Sequence, residues 1–190
     1  MILWLPRDHT SGRRASRPTP RAMVADNDLA LGLIVERLSH SAVWSSLAVF
    51  VLEDDAQNGP DHVDAHRSVL LVASPYAHRD AVDSTFYTTA SVLRTIEAIL
   101  GLAPLSQYDA GATPLWNAFT RRPDATPFSH LPNTWPLHEL NPSAFRSRIP
   151  ASDLAEADAA DEMELNREIW ESVRPGERMP APRSAILQGR

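Results

Sequence analysis

The chain has 190 residues, 43% of them apolar and 22% charged, with a formal net charge of −6. That is enough for one domain with an added arm and a proper core. The acidic balance argues against nucleic acid as the main partner, because binding phosphates needs a basic face. There is no cysteine, and all 18 basic residues are arginine. Thiol catalysis, thiolate zinc sites, disulfides, Schiff bases and phosphate-loop lysines are therefore excluded.

No run reaches the ~18 apolar residues that a membrane span needs. The opening Met1–Pro6 lacks the basic leader and the apolar length of a signal peptide. Ile2–Leu5 reads instead as a buried strand already in progress, so an upstream part of the domain is expected to be missing. Arg7, Asp8, His9 and Thr10 follow the strand. Thr10–Arg21, rich in Ser, Arg, Pro and Gly, reads as a mobile loop, and Pro18 and Pro20 keep it out of a helix. Ala22–Leu38 is the first helix, with Leu29, Leu33 and Ile34 near helical spacing. Trp44 is expected to pack where this helix turns back.

Two short apolar runs follow, Ala48–Leu52 and Val69–Ala73. Neither alternates, which is how strands buried on both faces read. The strand Ile2–Leu5, the helix Ala22–Leu38 and the strand Ala48–Leu52 together imply a crossover and a parallel pair. Ser84–Thr88 reads as short and extended. Thr89–Leu100 is a second helix with Val92, Ile96, Ile99 and Leu100 on its apolar side, stopped at Gly101. From Ala103 prolines recur among Trp116, Phe119, Phe128 and Trp135, the texture of an irregular arm anchored by aromatics. Ser152–Val173 is a third, loosely amphipathic helix with Ser152 or Asp153 as its N-cap, and Met179–Arg190 a frayed tail.

The chemistry gathers between the two apolar runs. Glu53, Asp54, Asp55, Asp61, His62, Asp64 and His66 crowd one loop, and such a set needs solvent, arginine or a cation. Two readings stay open: a metal site with Asp54 and Asp55 as ligands at the end of a strand, or a solvated acidic loop whose acids meet Arg67 and water. His62 beside Asp61 has the spacing of a carboxylate-oriented imidazole, or of a structural pair. His40, His78, His130 and His138 read as surface histidines.

The segments LPRDHT, PRAMVADNDLALG, VFVLEDDAQNGPDHVDAHR, ASPYAHRDAVDSTFYTTASVLRTIEAILGL and SQYDAGATPL resemble the bacterial phosphoesterase family of the alkaline phosphatase superfamily, beside acid phosphatases and phospholipases C. The resemblance runs from Ile2 to about Pro182. It implies an α/β fold: part of a mixed, mostly parallel alkaline-phosphatase-like sheet flanked by helices, over 1–102. A Pro-rich irregular arm would follow over 103–150, and a C-terminal helix and tail over 151–190.

The resemblance implies a metal-dependent phosphoesterase acting on phosphate esters. Asp54 and Asp55 would bind the metal, and His9 would act as the catalytic residue facing the phosphoryl group. Asp8, Asp61, His62 and His66 would be further ligands or supports. The cofactor would be a divalent ion: zinc, manganese, iron or calcium. Family members carry a Ser or Thr nucleophile upstream of the point matching Met1. The chain thus resembles a carboxyl-terminal portion, its partner being a missing N-terminal half or another chain. Thr10 and Ser11 are local candidates to substitute. The competing expectation is a non-catalytic remnant or interaction module. Relatives are exported, although this sequence shows no export signal.

Overall fold

The computed structural model describes residues 1–156 and 159–184. Residues 157–158, inside the expected C-terminal helix, and 185–190, in the expected tail, lie outside the described residues. Among the described residues, four α-helices and two strands are formed: α1 Pro20–Ser39, β1 Val49–Leu52, β2 Leu70–Ala73, α2 Thr89–Leu100, α3 Gln107–Ala110 and α4 Glu162–Val173. Among the described residues, no helix is long and apolar enough to cross a membrane.

The expected mixed, mostly parallel alkaline-phosphatase-like sheet is not what the chain forms. The one sheet among the described residues has two strands, and they pair antiparallel, Val49 with Ala73 and Leu52 with Leu70. The connection 53–69 contains no helix. Without a crossover element the chain returns along its own strand, and antiparallel pairing follows. Glu53 N donates to Val69 O at 3.0 Å and closes the mouth of the loop. The strands are half-buried rather than enclosed on both faces. Ile2–Leu5 forms no strand, since it has no pairing partner: Ile2 is exposed, and the Leu5 carbonyl takes the Asn27 side-chain amide at 2.7 Å.

Packing divides the chain into two units. One comprises 1–36, 53–69 and the described residues from 129 onward. The other comprises 37–52 and 70–128.

In the first unit, Ala22 and Met23 at the start of α1 are buried. Thr19 caps this end, with its hydroxyl accepting from Ala22 N at 3.2 Å and donating to Glu139 at 2.8 Å. The buried Asn141 amide donates to the carbonyls of Gly12 and Arg14 at 3.1 and 3.0 Å, tying 12–18 to the arm. α4 begins later than the expected 152. Residues 151–155 make turns, and Asp161, not Ser152 or Asp153, is the N-cap, accepting from Glu164 N at 2.8 Å.

The inward stripe of α4 is polar. Glu164, Glu168 and Glu171 recur at i, i+4 and i+7 and so share one face. Glu168 is fully buried and accepts from Arg13 N, Ser147 Oγ and Arg148 N at 3.2, 2.9 and 2.6 Å. The Arg148 guanidinium reaches Glu164 and Glu171 at 2.8 and 2.9 Å, and Arg13 reaches Glu171 at 2.9 Å. Hydrogen bonding from Arg148 outweighs burial and holds the Glu171 carboxyl below its usual range.

In the second unit Trp44 is buried and meets Phe128 edge-on at 6.0 Å between ring centroids. Phe50 of β1 meets Phe119 at 6.2 Å. α2 ends at Gly101, whose φ of +67° is the left-handed stop that glycine takes without strain. Its buried face is Ser91, Val92 and Thr95, while Ile99 and Leu100 stay exposed. Thr95 accounts for the difference. Its hydroxyl donates to Ser91 O at 2.7 Å and accepts from Leu115 N at 2.9 Å, drawing a polar turn inside. α3 follows, capped by Ser106 accepting from Tyr108 N at 3.2 Å.

Candidate functional site

The acidic loop 53–69 lies in the first unit with Asp8, His9 and α4. Its carboxylates separate into three groups with different partners.

Asp8, Glu53 and Asp54 form the first group. Asp8 sits in a single turn, Pro6–Asp8, which Pro6 starts and the Arg7–Asp26 ion pair at 3.5 Å steadies. Asp8 and Asp54 lie close enough to Glu53 for their charges to act on its carboxyl. Partial burial, then the charges of Asp8 and Asp54, push the Glu53 pKa up. Among the described residues, no arginine or histidine forms an ion pair with Asp8, Glu53 or Asp54. This is like-charge crowding without a counter-ion. Asp54 Oδ1 accepts from Asp55 N at 3.0 Å, which fixes the turn after β1. His9 is exposed at the end of the same turn, its N–H donating to Pro6 O at 3.3 Å.

Asp61 forms the second group, and its work is structural. Its Oδ1 accepts from Val63 N and Asp64 N at 2.6 and 3.0 Å, and its Oδ2 meets Arg67 at 2.9 Å. Burial acts to raise its pKa, but the Arg67 guanidinium and the two backbone N–H groups more than offset it and leave the carboxyl below its usual range. His62 is 4.0 Å from Asp61, with its side chain 83% exposed, so this neighbouring pair is not an oriented imidazole.

The oriented imidazole is His66, four residues beyond His62. Buried Asp64 accepts from His66 N at 2.9 Å, and its Oδ1 lies 2.8 Å from His66 Nδ1. His66 lines a cavity of about 290 Å³ with Asp55, Ala56, Gln57, Asn58 and Glu162. α4 shapes its wall: Asn58 donates to Glu162 Oε2 at 2.6 Å, and Asn166 donates to Gln57 O at 2.7 Å. Asp64 and Glu162 carry no assignment in the sequence reading. The available signal was the Asp-x-His spacing, since Asp side chains commonly cap the backbone two residues on.

Thr10 and Ser11 lie in a turn, with the Thr10 hydroxyl accepting from Gly12 N at 3.0 Å. His130, expected to be alone, pairs with Glu36 at 2.6 Å.

Among the described residues, no three His, Asp or Glu side chains are gathered closely enough to hold a metal ion as they stand. The donor chemistry of the first group nonetheless suits one: three hard oxygen ligands, one with a raised pKa, none neutralised by an arginine. No protein-family model matches the chain, and a search of curated proteins finds no similar sequence.

Proposed function

We propose that the chain is a metal-dependent phosphoesterase domain that hydrolyses phosphate esters, with its divalent cation held by Asp8, Glu53 and Asp54 and with Asp55 beside them. The observation behind it is the crowding of Glu53 by the charges of Asp8 and Asp54 at the end of β1, with no arginine or histidine in an ion pair with any of the three among the described residues. Like charges are brought together at a cost, and a cation removes that cost. The motifs that resemble those of the phosphoesterase family suggest the reaction class, whereas the two-stranded sheet supplies no support for it.

When bound, the cation would neutralise phosphoryl oxygens and lower the pKa of an attacking hydroxyl or water. The residues of the chain do the rest. Asp54 is held by Asp55 N, so its carboxylate presents a fixed oxygen. His9 stands exposed next to Asp8, where its imidazole hydrogen-bonds the phosphoryl group. Asp61 and Arg67 brace the loop that carries these groups.

The test is turnover of p-nitrophenyl phosphate by the purified chain with zinc, manganese, iron or calcium added in turn. Asp54→Asn is expected to abolish both turnover and metal binding. Unchanged activity and metal occupancy in that variant would sink the assignment.

A second reading, a non-catalytic interaction module, is favoured by the exposed apolar side chains Ile99, Leu100, Leu102, Leu105 and Tyr108 along α2 and α3. It requires that no cation give turnover in a chain shown to be folded.

A further inference from the structure

Beyond the supporting place that the resemblance gives His66, the Asp64–His66 pair has no part in the chemistry described above, yet it is the most firmly built polar arrangement in the loop. Asp64 is 3% exposed. The backbone on both sides of it is fixed: Asp64 N donates to Asp61 at 3.0 Å, Ala65 N to Arg183 O at 2.7 Å, and Arg67 N to Asp64 O at 3.1 Å. An ionised carboxylate only accepts hydrogen bonds. The 2.8 Å contact has the length of an Nδ1–H donated to the carboxylate, an arrangement that in a neutral ring leaves the lone pair on Nε2. The ring is held while its side chain stays 45% exposed on the cavity beside Asp55. Asp55 is bonded through its own N–H to Asp54, so the cavity adjoins the proposed cation loop.

We propose that His66 is the proton-transfer residue of this site and Asp64 its positioning residue. This rests on the phosphoesterase reading. Nε2 takes a proton from the attacking water, whose oxygen forms the new bond to phosphorus as the ester P–O bond breaks. The same proton then passes from Nε2 to the leaving alcohol oxygen. Between the two transfers Asp64 stabilises the imidazolium and keeps its orientation.

Two measurements on the full chain test this. Imidazole ¹⁵N NMR on the metal-free protein is expected to show His66 as the Nδ1–H tautomer, with Asp64→Ala reverting it to Nε2–H. An Nε2–H tautomer in the unmodified chain overturns the positioning role. With p-nitrophenyl and phenyl phosphate as substrates, His66→Gln and Asp64→Asn are expected to lower kcat about 100-fold with KM nearly unchanged, and more for the phenyl ester, whose poorer leaving group needs the proton. Wild-type kcat in His66→Gln overturns the proton-transfer role and leaves the phosphoesterase reading standing. No turnover by the unmodified chain with any divalent cation removes that reading and the proton-transfer role with it, while the tautomer result separately decides whether Asp64 orients His66.

Discussion

Replacing Glu168 by alanine is expected to destabilise the protein by about 3–5 kcal/mol, the size associated with leaving buried polar partners uncompensated. The carboxylate is fully buried and satisfies two backbone N–H groups, of Arg13 and Arg148, and the Ser147 hydroxyl. Alanine strips all three of their acceptor and leaves a void. Each orphaned buried donor costs about 1–3 kcal/mol, and segments far apart in sequence lose a common anchor. Gly12→Ala attacks the same point from the other side. A Cβ there would stand 2.9 Å from Glu168 Oε2, and the φ of +55° is one that side chains rarely adopt. It is expected to cost about 1–3 kcal/mol. Urea denaturation followed by circular dichroism measures both. A change below about 1 kcal/mol for Glu168→Ala would show that this anchor does not hold the unit together.

The second large effect is a rise in stability when a divalent cation is added at neutral pH. The folded-state pKa of Glu53 is raised. A group shifted this way favours the fold below its unfolded pKa, and that contribution is lost as the pH rises through the folded value. At pH 7.5 ionised Glu53, partly buried and facing the charges of Asp8 and Asp54, therefore works against folding. A cation bound there reverses this, adding about 2.7 kcal/mol at a hundredfold excess over its Kd, or several degrees in Tm for a chain of this size. The increment is expected to vanish near pH 4, where protons compete for the same oxygens. The double substitution Asp8→Asn with Glu53→Gln should raise the metal-free Tm at pH 7.5 and abolish the response to the cation. A lower metal-free Tm in that variant would mean that the two carboxyls are not in conflict.

The helices were legible where local rules decide them. Gly101 stops α2 as its sequence indicates, because only a residue free to take positive φ ends a helix in that way. The long α1 follows from its apolar spacing. Strand direction was misread: Ala48–Leu52 and Val69–Ala73 read as doubly buried strands of a mostly parallel sheet, but with no helix in 53–69 they pair antiparallel and stay half-buried. α4 misleads for a different reason. Ser152–Val173 reads only as loosely amphipathic, and nothing local reveals that Arg13 and Arg148 return to meet Glu164, Glu168 and Glu171.

The candidate site was half legible. The crowding of acids after β1 is visible in sequence, and the structure adds Asp8 to it. The oriented pair was misplaced, Asp61 and His62 standing for Asp64 and His66. Asp61 and His62 are adjacent, but Asp61 is already saturated by Arg67 and two backbone N–H groups, while Asp64 folds back onto His66.

The most direct measurement is a calorimetric titration of the purified chain with manganese at pH 7.5, alongside Asp54→Asn, after circular dichroism has shown both to be folded. A cation held by Asp8, Glu53 and Asp54 requires saturable binding to the unmodified chain that the substitution removes. Binding of equal strength in Asp54→Asn, or none in the folded unmodified chain, would contradict it.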